Sequence, residues 1–223
     1  MHDWHAKNGA IFVEAGQWMR PQYYLRDGES GVKVDMDRAI SREVTETRGG
    51  VGMVDVSTLG KIDIQGPDAS EFLNRLYING WKTLAIGRAR YGLMLREDGI
   101  VFDDGTTSRV GENRYFMTTT TANAGPVMSH MEEYLQVHWP ELNVKVISVT
   151  EQWAAMALAG PKSRDVLAAA VEGLDVSNEA LPFMGVRETS IAGIKARVFR
   201  ISFSGELAYE VNVPADHGRA AWE

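Results

Sequence analysis

The sequence predicts an α+β fold, and three observations carry that expectation. Tyr91–Leu95 and Ile100–Phe102 flank Glu97-Asp98-Gly99, the pattern of two antiparallel strands around a tight turn. Val32, Met36, Ile40 and Val44 recur every fourth residue with charges between them, the pattern of an amphipathic helix ending before Gly49-Gly50. A strand, a Gly-Pro pair and a helix then occur twice, in Ile64-Gln65-Gly66-Pro67-Asp68-Ala69-Ser70 and Leu158-Ala159-Gly160-Pro161-Lys162-Ser163-Arg164. The two glycines are 94 residues apart, which suggests an internal duplication, although a match this short also arises by chance. Proline suits the start of a helix, where its missing N–H leaves no bond unmade.

The remaining elements follow in order. Residues 1–31 read as irregular and aromatic-rich, with Trp4, Phe12, Trp18, Tyr23 and Tyr24 before the polar loop Asp27–Gly31. Val51–Val56 and Lys61–Gln65 read as strands, and a helix bearing Phe72, Leu73 and Leu76 follows Gly66-Pro67-Asp68. Tyr115–Met117 continues the sheet, and Val127, Met131, Tyr134, Leu135 and His138 mark a helix over 123–138 closed by Pro140. Strands are expected at 142–149 and 153–159, a helix through Val166, Leu167 and Ala170, then strands at 186–191, 194–203 and 207–213. A helical pattern from Pro214 stops at Glu223 after about two turns, short for a stable helix, so the chain is expected to be a piece of something longer. The expected division is an N-terminal segment and helix over 1–48, a first α+β unit over 49–150 and a second, truncated one over 151–223.

Composition narrows the function. The chain has 223 residues, of which 44% are hydrophobic, enough for a sizeable core. A net charge of −7 argues against a nucleic-acid partner, because backbone binding needs a basic face. With no cysteine there is no disulfide, thiolate chemistry or Cys-based metal site. No apolar run approaches the ~18 residues of a membrane span, and the N-terminus lacks the apolar block of a signal peptide. A soluble, cytoplasmic protein is expected, with no membrane partner. The P-loop, HExxH and GxSxG motifs are absent, and the five histidines are scattered, with His2 and His5 in a segment read as flexible, so no metal site is expected.

Three constellations could carry chemistry. Asp103-Asp104-Gly105 follows the apolar Ile100-Val101-Phe102, and strict alternation puts Asp103 on the face of Val101 and Asp104 on that of Phe102. A carboxylate held there beside aromatic surface can act as a base; the alternative is a solvated strand-end turn, with Asp104 closing it. In Ser204–Glu210, Glu206 and Glu210 bracket Tyr209, a grouping suited to a heterocycle's ring N–H and amino groups, or an ordinary hairpin with exposed glutamates. Thr118–Asn123 precedes a helix, where its hydroxyls are expected to cap backbone N–H groups.

Taken together these stretches resemble the folate-binding aminomethyltransferase family of the glycine-cleavage T-protein. The resemblance rests on Val54-Asp55-Val56-Ser57, Arg90–Leu95 with Gly99–Asp104, Ala159-Gly160-Pro161 and Ser204-Gly205-Glu206 with Tyr209-Glu210, in order, supported by Gly9-Ala10 and Trp18–Pro21. Tyr115–Gly125, Trp139–Leu142, Gly160–Leu167 and Arg200–Glu210 resemble more closely the C-terminal region of the α subunits of heterotetrameric sarcosine oxidases. The resemblance implies the aminomethyltransferase folate-binding fold, with duplicated strand–helix units and a C-terminal barrel domain beyond this chain. It implies tetrahydrofolate as cofactor, with NAD and flavin elsewhere in a parent complex, and a flavoprotein β subunit and further sarcosine oxidase subunits as partners. It makes Asp103 the carboxylate near the reacting folate amine and places Leu59, Tyr91, Asp104, Thr119, Phe203 and Glu210 at the cofactor. Glu210 would meet the pterin ring; Phe203 stands where the T-protein often has tyrosine, and Thr119 where it has asparagine. The implied function is capture of the one-carbon unit of the imine from sarcosine oxidation as 5,10-methylenetetrahydrofolate, by an oxidoreductase of which the isolated piece is inactive. The alternatives are a non-catalytic module with the same fold and a glycine-cleavage aminomethyltransferase.

Overall fold

In the computed structural model, which describes residues 1–223, the chain runs α1 (His2–Lys7), β1 (Ala10–Ala15), β2 (Trp18–Tyr24), α2 (Lys33–Gly49), β3 (Gly52–Asp55), β4 (Gly60–Gln65), α3 (Ala69–Leu76), β5 (Arg88–Leu95), β6 (Val101–Gly111), β7 (Arg114–Thr119) and α4 (Ala124–Glu133). It continues through β8 (Lys145–Ser148), β9 (Trp153–Ala159), α5 (Ser163–Ala170), β10 (Val171–Glu172), β11 (Val186–Ile191), β12 (Ile194–Phe199), β13 (Ala208–Pro214) and α6 (Gly218–Trp222). Two compact units result: Met1–Thr58 with Trp153–Phe183 and Arg187–Glu223, and Leu59–Gln152 with Met184–Val186.

The 59–152 unit carries a five-stranded sheet in the order β5-β6-β7-β4-β8. Ile62 and Ile64 of β4 and Tyr115 and Met117 of β7 alternate onto one face, and α3 covers that face with Phe72, Leu73 and Leu76. The other unit carries a six-stranded sheet, β10-β11-β12-β13-β9-β3, and the hairpin β1-β2. Its core is built from Met156 and Leu158, Tyr209, Val211 and Val213, Val198, and Leu167 of α5.

The duplication is present down to register. Gly60 pairs with Thr119 in β4–β7, and Ala154 with Val213 in β9–β13, each residue displaced by 94. Both inner strands end in a glycine of positive φ, Gly66 at 142° and Gly160 at 117°. Neither position has room for a Cβ, which would fall 2.1 Å from the Asn143 carbonyl oxygen or 2.3 Å from that of Thr47. The flanking strands are exchanged between the repeats: β3, which precedes β4, pairs with β9, and β8, which precedes β9, pairs with β4. Each exchanged strand leads into a hydroxyl that accepts the backbone N–H of its partner strand, Ser57 from Ala155 at 3.0 Å and Thr150 from Lys61 at 3.0 Å.

Several expectations need correction. Residues 1–31 are ordered as α1 and the β1–β2 hairpin, turning at Gly16, where φ is 60°. His5 is buried, not part of a flexible segment: Nε2 bonds Asp55 Oδ2 at 2.9 Å and Nδ1 bonds the Tyr24 hydroxyl at 2.7 Å. Helix α2 is present, but its Val32, Ile40 and Val44 row is exposed and Ala39 is its buried residue. A four-residue spacing drifts around a 3.6-residue helix, and polar bonds hold the opposite side: Arg42 donates to Tyr24 O and Glu43 accepts the Tyr24 N–H. The 123–138 helix is α4 followed by a π turn over Tyr134–His138, and β12 ends at Phe199 rather than 203.

Candidate functional site

Asp103 is the third residue of β6, which runs on to Gly111 and does not end at the two aspartates. A bulge sets its direction. Met94 pairs with Asp103 and Leu95 with Val101, so Phe102 is the extra residue and the alternation shifts by one. Val101 is therefore exposed, whereas Phe102 packs against the core and Asp103 is only 4% exposed. Asp104, expected to close a turn, points to the other side and accepts the Tyr91 hydroxyl at 2.8 Å. Gly105 lets β7 come close, since a Cβ there would sit 2.1 Å from Thr118 O.

Of the threonine run, Thr120 serves this carboxylate, while the Thr118 hydroxyl pairs with Thr106. Thr120 donates its hydroxyl to Asp103 Oδ1 at 2.6 Å and its N–H to Oδ2 at 3.2 Å. Asn123, the N-cap residue of α4, makes no side-chain cap. Its Nδ2 donates instead to Asp103 Oδ1 at 3.1 Å and to Phe102 O at 3.0 Å. Burial pushes the Asp103 carboxyl above its ordinary pKa; the Thr120 and Asn123 bonds pull the other way, and the neighbouring Asp104 charge adds to the rise. Tyr77, buried nearby, has its phenol pushed up chiefly by burial and then by the Asp103 charge. Tyr91 is raised first by its bond to Asp104.

The other expected residues of this unit are differently engaged. Leu59 is partly buried and its carbonyl accepts Lys61 Nζ at 2.9 Å. Thr119 is buried, and its hydroxyl donates to Thr120 O at 2.9 Å. A groove of about 390 Å³ in this unit is lined by Arg96, Glu97, Asp98, His130, Glu133, Tyr134 and His138 and includes none of the expected residues. The Asp103 carboxylate, buried and held by three donors, is the feature of this unit best placed for acid–base chemistry.

Phe203 and Glu210 belong to the other unit. Phe203 is fully exposed in the loop before β13. Glu206, Tyr209 and Glu210 do not form one constellation. Alternation along β13 sends Tyr209 into the core and Glu210 to the opposite face, while Glu206 lies 3.8 Å from Arg48. Glu210 is nevertheless 6% exposed, and it accepts Asn212 Nδ2 at 2.8 Å. Asn212 is itself completely buried, and its Oδ1 has no donor. Across the ladder, Arg197 is held by Glu188 at 2.9 Å and stacks over Trp153.

Sequence reasoning missed Thr120, Asn123, Tyr77 and Asn212. Asn123 and Thr120 sat inside a run whose position before a helix favoured capping. Asn212 carried no usable signal, since with Glu210 it fills the polar positions of an ordinary alternating strand, Tyr209, Val211 and Val213 being the apolar ones.

The chain is 53% identical over 224 residues to the sarcosine oxidase subunit alpha of Corynebacterium sp. (strain U-96), covering 100% of this chain and 23% of that protein. It is 30% identical over 218 residues to the aminomethyltransferase of Staphylococcus haemolyticus (strain JCSC1435), covering 98% of this chain and 55% of that protein. The crystal structure of glycine cleavage system aminomethyltransferase T from Bartonella henselae superposes with a TM-score of 0.80 at 28% identity, covering 98% of this chain and 54% of that one. The chain thus spans about a quarter of the sarcosine oxidase relative and about half of the aminomethyltransferases. A family model described as the GCVT N-terminal domain matches residues 1–223, and the chain belongs to that family.

Proposed function

We propose that this chain is the tetrahydrofolate-binding region of a sarcosine oxidase α-type subunit, where the one-carbon unit of the imine from sarcosine oxidation is captured as 5,10-methylenetetrahydrofolate. The observation that carries the reading is Asp103, a buried carboxylate with a raised pKa, fixed by three hydrogen bonds from Thr120 and Asn123. The higher identity to the sarcosine oxidase relative than to the aminomethyltransferase favours it over glycine cleavage.

The residues present fit such a cofactor. Glu210 is a buried acceptor suited to the N–H edge of a pterin, and Asp103 is an acid–base group suited to an amine. When bound, tetrahydrofolate supplies a secondary amine that accepts carbon at the imine oxidation level. Asp103 would take the proton that the folate amine loses as it bonds to the imine carbon and pass it to the imine nitrogen, which leaves as the amine, and its raised pKa brings its proton affinity closer to that task. Thr120 and Asn123 hold the carboxylate in one rotamer, so orientation is set before reaction. Tyr91 and Asp104 form a second hydrogen-bonded pair on the other face of β6; they, with Leu59 and Thr119, are further proposed cofactor contacts of this unit, as Phe203 is of the other. Other subunits, among them a flavoprotein β subunit, would supply the imine.

The test is Asp103→Asn in the full-length protein, with methylenetetrahydrofolate and formaldehyde assayed separately. Folate product is expected to fall about a hundredfold, as for loss of a positioned acid–base group, while sarcosine oxidation continues and releases formaldehyde. Asp104→Asn keeps an acceptor for Tyr91 and is expected to lose far less. Wild-type folate yield from Asp103→Asn would leave a module with the same fold and no chemistry as the better reading.

A further inference from the structure

Strand β13 carries two polar side chains on the sheet face opposite its apolar core, Glu210 and Asn212, and both are buried. Their cross-strand neighbours on β9 are small, Ala157 beside Glu210 and Ala155 beside Asn212. On β12 the neighbours are Phe199 and Arg197. Asn212 Nδ2 donates to Glu210 Oε1 at 2.8 Å. A carboxylate only accepts, so this bond fixes the amide's direction: its NH2 faces Glu210 and its carbonyl oxygen faces away. That oxygen is fully enclosed and has no donor. Leaving a buried acceptor unmade costs the desolvation of the group, and packing alone does not require an acceptor at this position. Such a local violation is what a ligand contact leaves behind when a site is built for it.

We propose that Asn212 is a specificity-determining residue. Its Oδ1 and the Glu210 carboxylate together read two adjacent N–H donors, the amino group and ring N–H of a 2-amino-4-oxopyrimidine edge. The inference rests on the folate reading for its ligand, since a pterin carries that edge; guanine carries it as well. Asn212 thus has two tasks, holding Glu210 through Nδ2 and accepting from the ligand through Oδ1.

Titration calorimetry on the full-length protein separates these tasks, using tetrahydrofolate, its analogue with hydrogen in place of the 2-amino group, and guanosine. Asn212→Ala is expected to weaken tetrahydrofolate binding about tenfold to a hundredfold, the range for a lost buried acceptor, and to weaken binding of the analogue by a clearly smaller factor, that of the lost support for Glu210 alone. Asn212→Leu, close to asparagine in shape and without an acceptor, is expected to behave alike and guards against misfolding of the alanine variant. Equal losses for tetrahydrofolate and the analogue would overturn the proposal and leave Asn212 only a support for Glu210. Unchanged affinities in both variants would overturn it too. Guanosine bound more tightly than tetrahydrofolate, with the same dependence on Asn212, would uphold the two-acceptor edge and overturn the folate reading. Wild type binding neither ligand would overturn both.

Discussion

Asp103 shows how one residue joins stability to chemistry. Its carboxyl is raised by burial, so the folded state holds the proton more tightly than the unfolded chain does. The stabilising contribution of the protonated group is fully present below the ordinary aspartate pKa and is lost as pH rises through the folded pKa. At neutral pH the ionised group is therefore a cost relative to a neutral one. Asp103→Asn is expected to gain stability relative to wild type as pH rises from about 4 to 7, since asparagine has no charge to desolvate. Thermal melts of both proteins across that range check it; a difference that stays flat or shrinks would mean that the Thr120 and Asn123 bonds outweigh burial. A second buried cluster works structurally. His5 bridges Asp55 of β3 and Tyr24 of β2, and burial with the Asp55 charge pushes the Tyr24 phenol up to about 12. Replacing Asp55 with alanine would leave His5 short of a buried partner, and a loss of about 1–3 kcal/mol in urea denaturation is expected.

At the scale of elements, the repeat is more informative than either copy alone. The helices α3 and α5 both have eight residues, start three residues after their glycines, and end in an extended residue, Tyr77 or Val171. The exchanged strands repeat the same hydroxyl device, with Ser57 accepting from Ala155 and Thr150 from Lys61. Ser57→Ala and Thr150→Val are each expected to cost about 0.5–1.5 kcal/mol, and similar amounts if the two sites are equivalent. Chemical denaturation midpoints with unchanged slopes would support that equivalence; one site costing nothing would break it.

For the whole molecule, each unit has its own apolar core, so damage should be local before it is global. Phe72 is fully buried in the 59–152 unit and Val198 in the other. Phe72→Ala is expected to cost about 3–5 kcal/mol. Hydrogen exchange should quicken first in β4 and β7, with β9 and β13 protected until global unfolding. Uniform loss of protection across both sheets would instead indicate a single cooperative unit.

What the sequence determined by itself is local. Gly-Pro pairs, alternating strands, the 97–99 turn and the 94-residue repeat are set by backbone rules that act over a few residues, and they are present in the fold. The ordered motifs also sufficed to identify the family, which matches the whole chain. Three things were decided only by tertiary structure. One bulge at Phe102 turned Asp103 inward, because a register shift depends on the partner strand and not on the strand's own pattern. The Thr120 and Asn123 side chains chose a carboxylate 17 and 20 residues away over the adjacent helix end, because a buried charge binds donors more strongly than an exposed cap. The apolar row of α2 was left in solvent while a salt bridge and a backbone contact held its other side, because burial is awarded by what packs against a helix and periodicity only makes it possible.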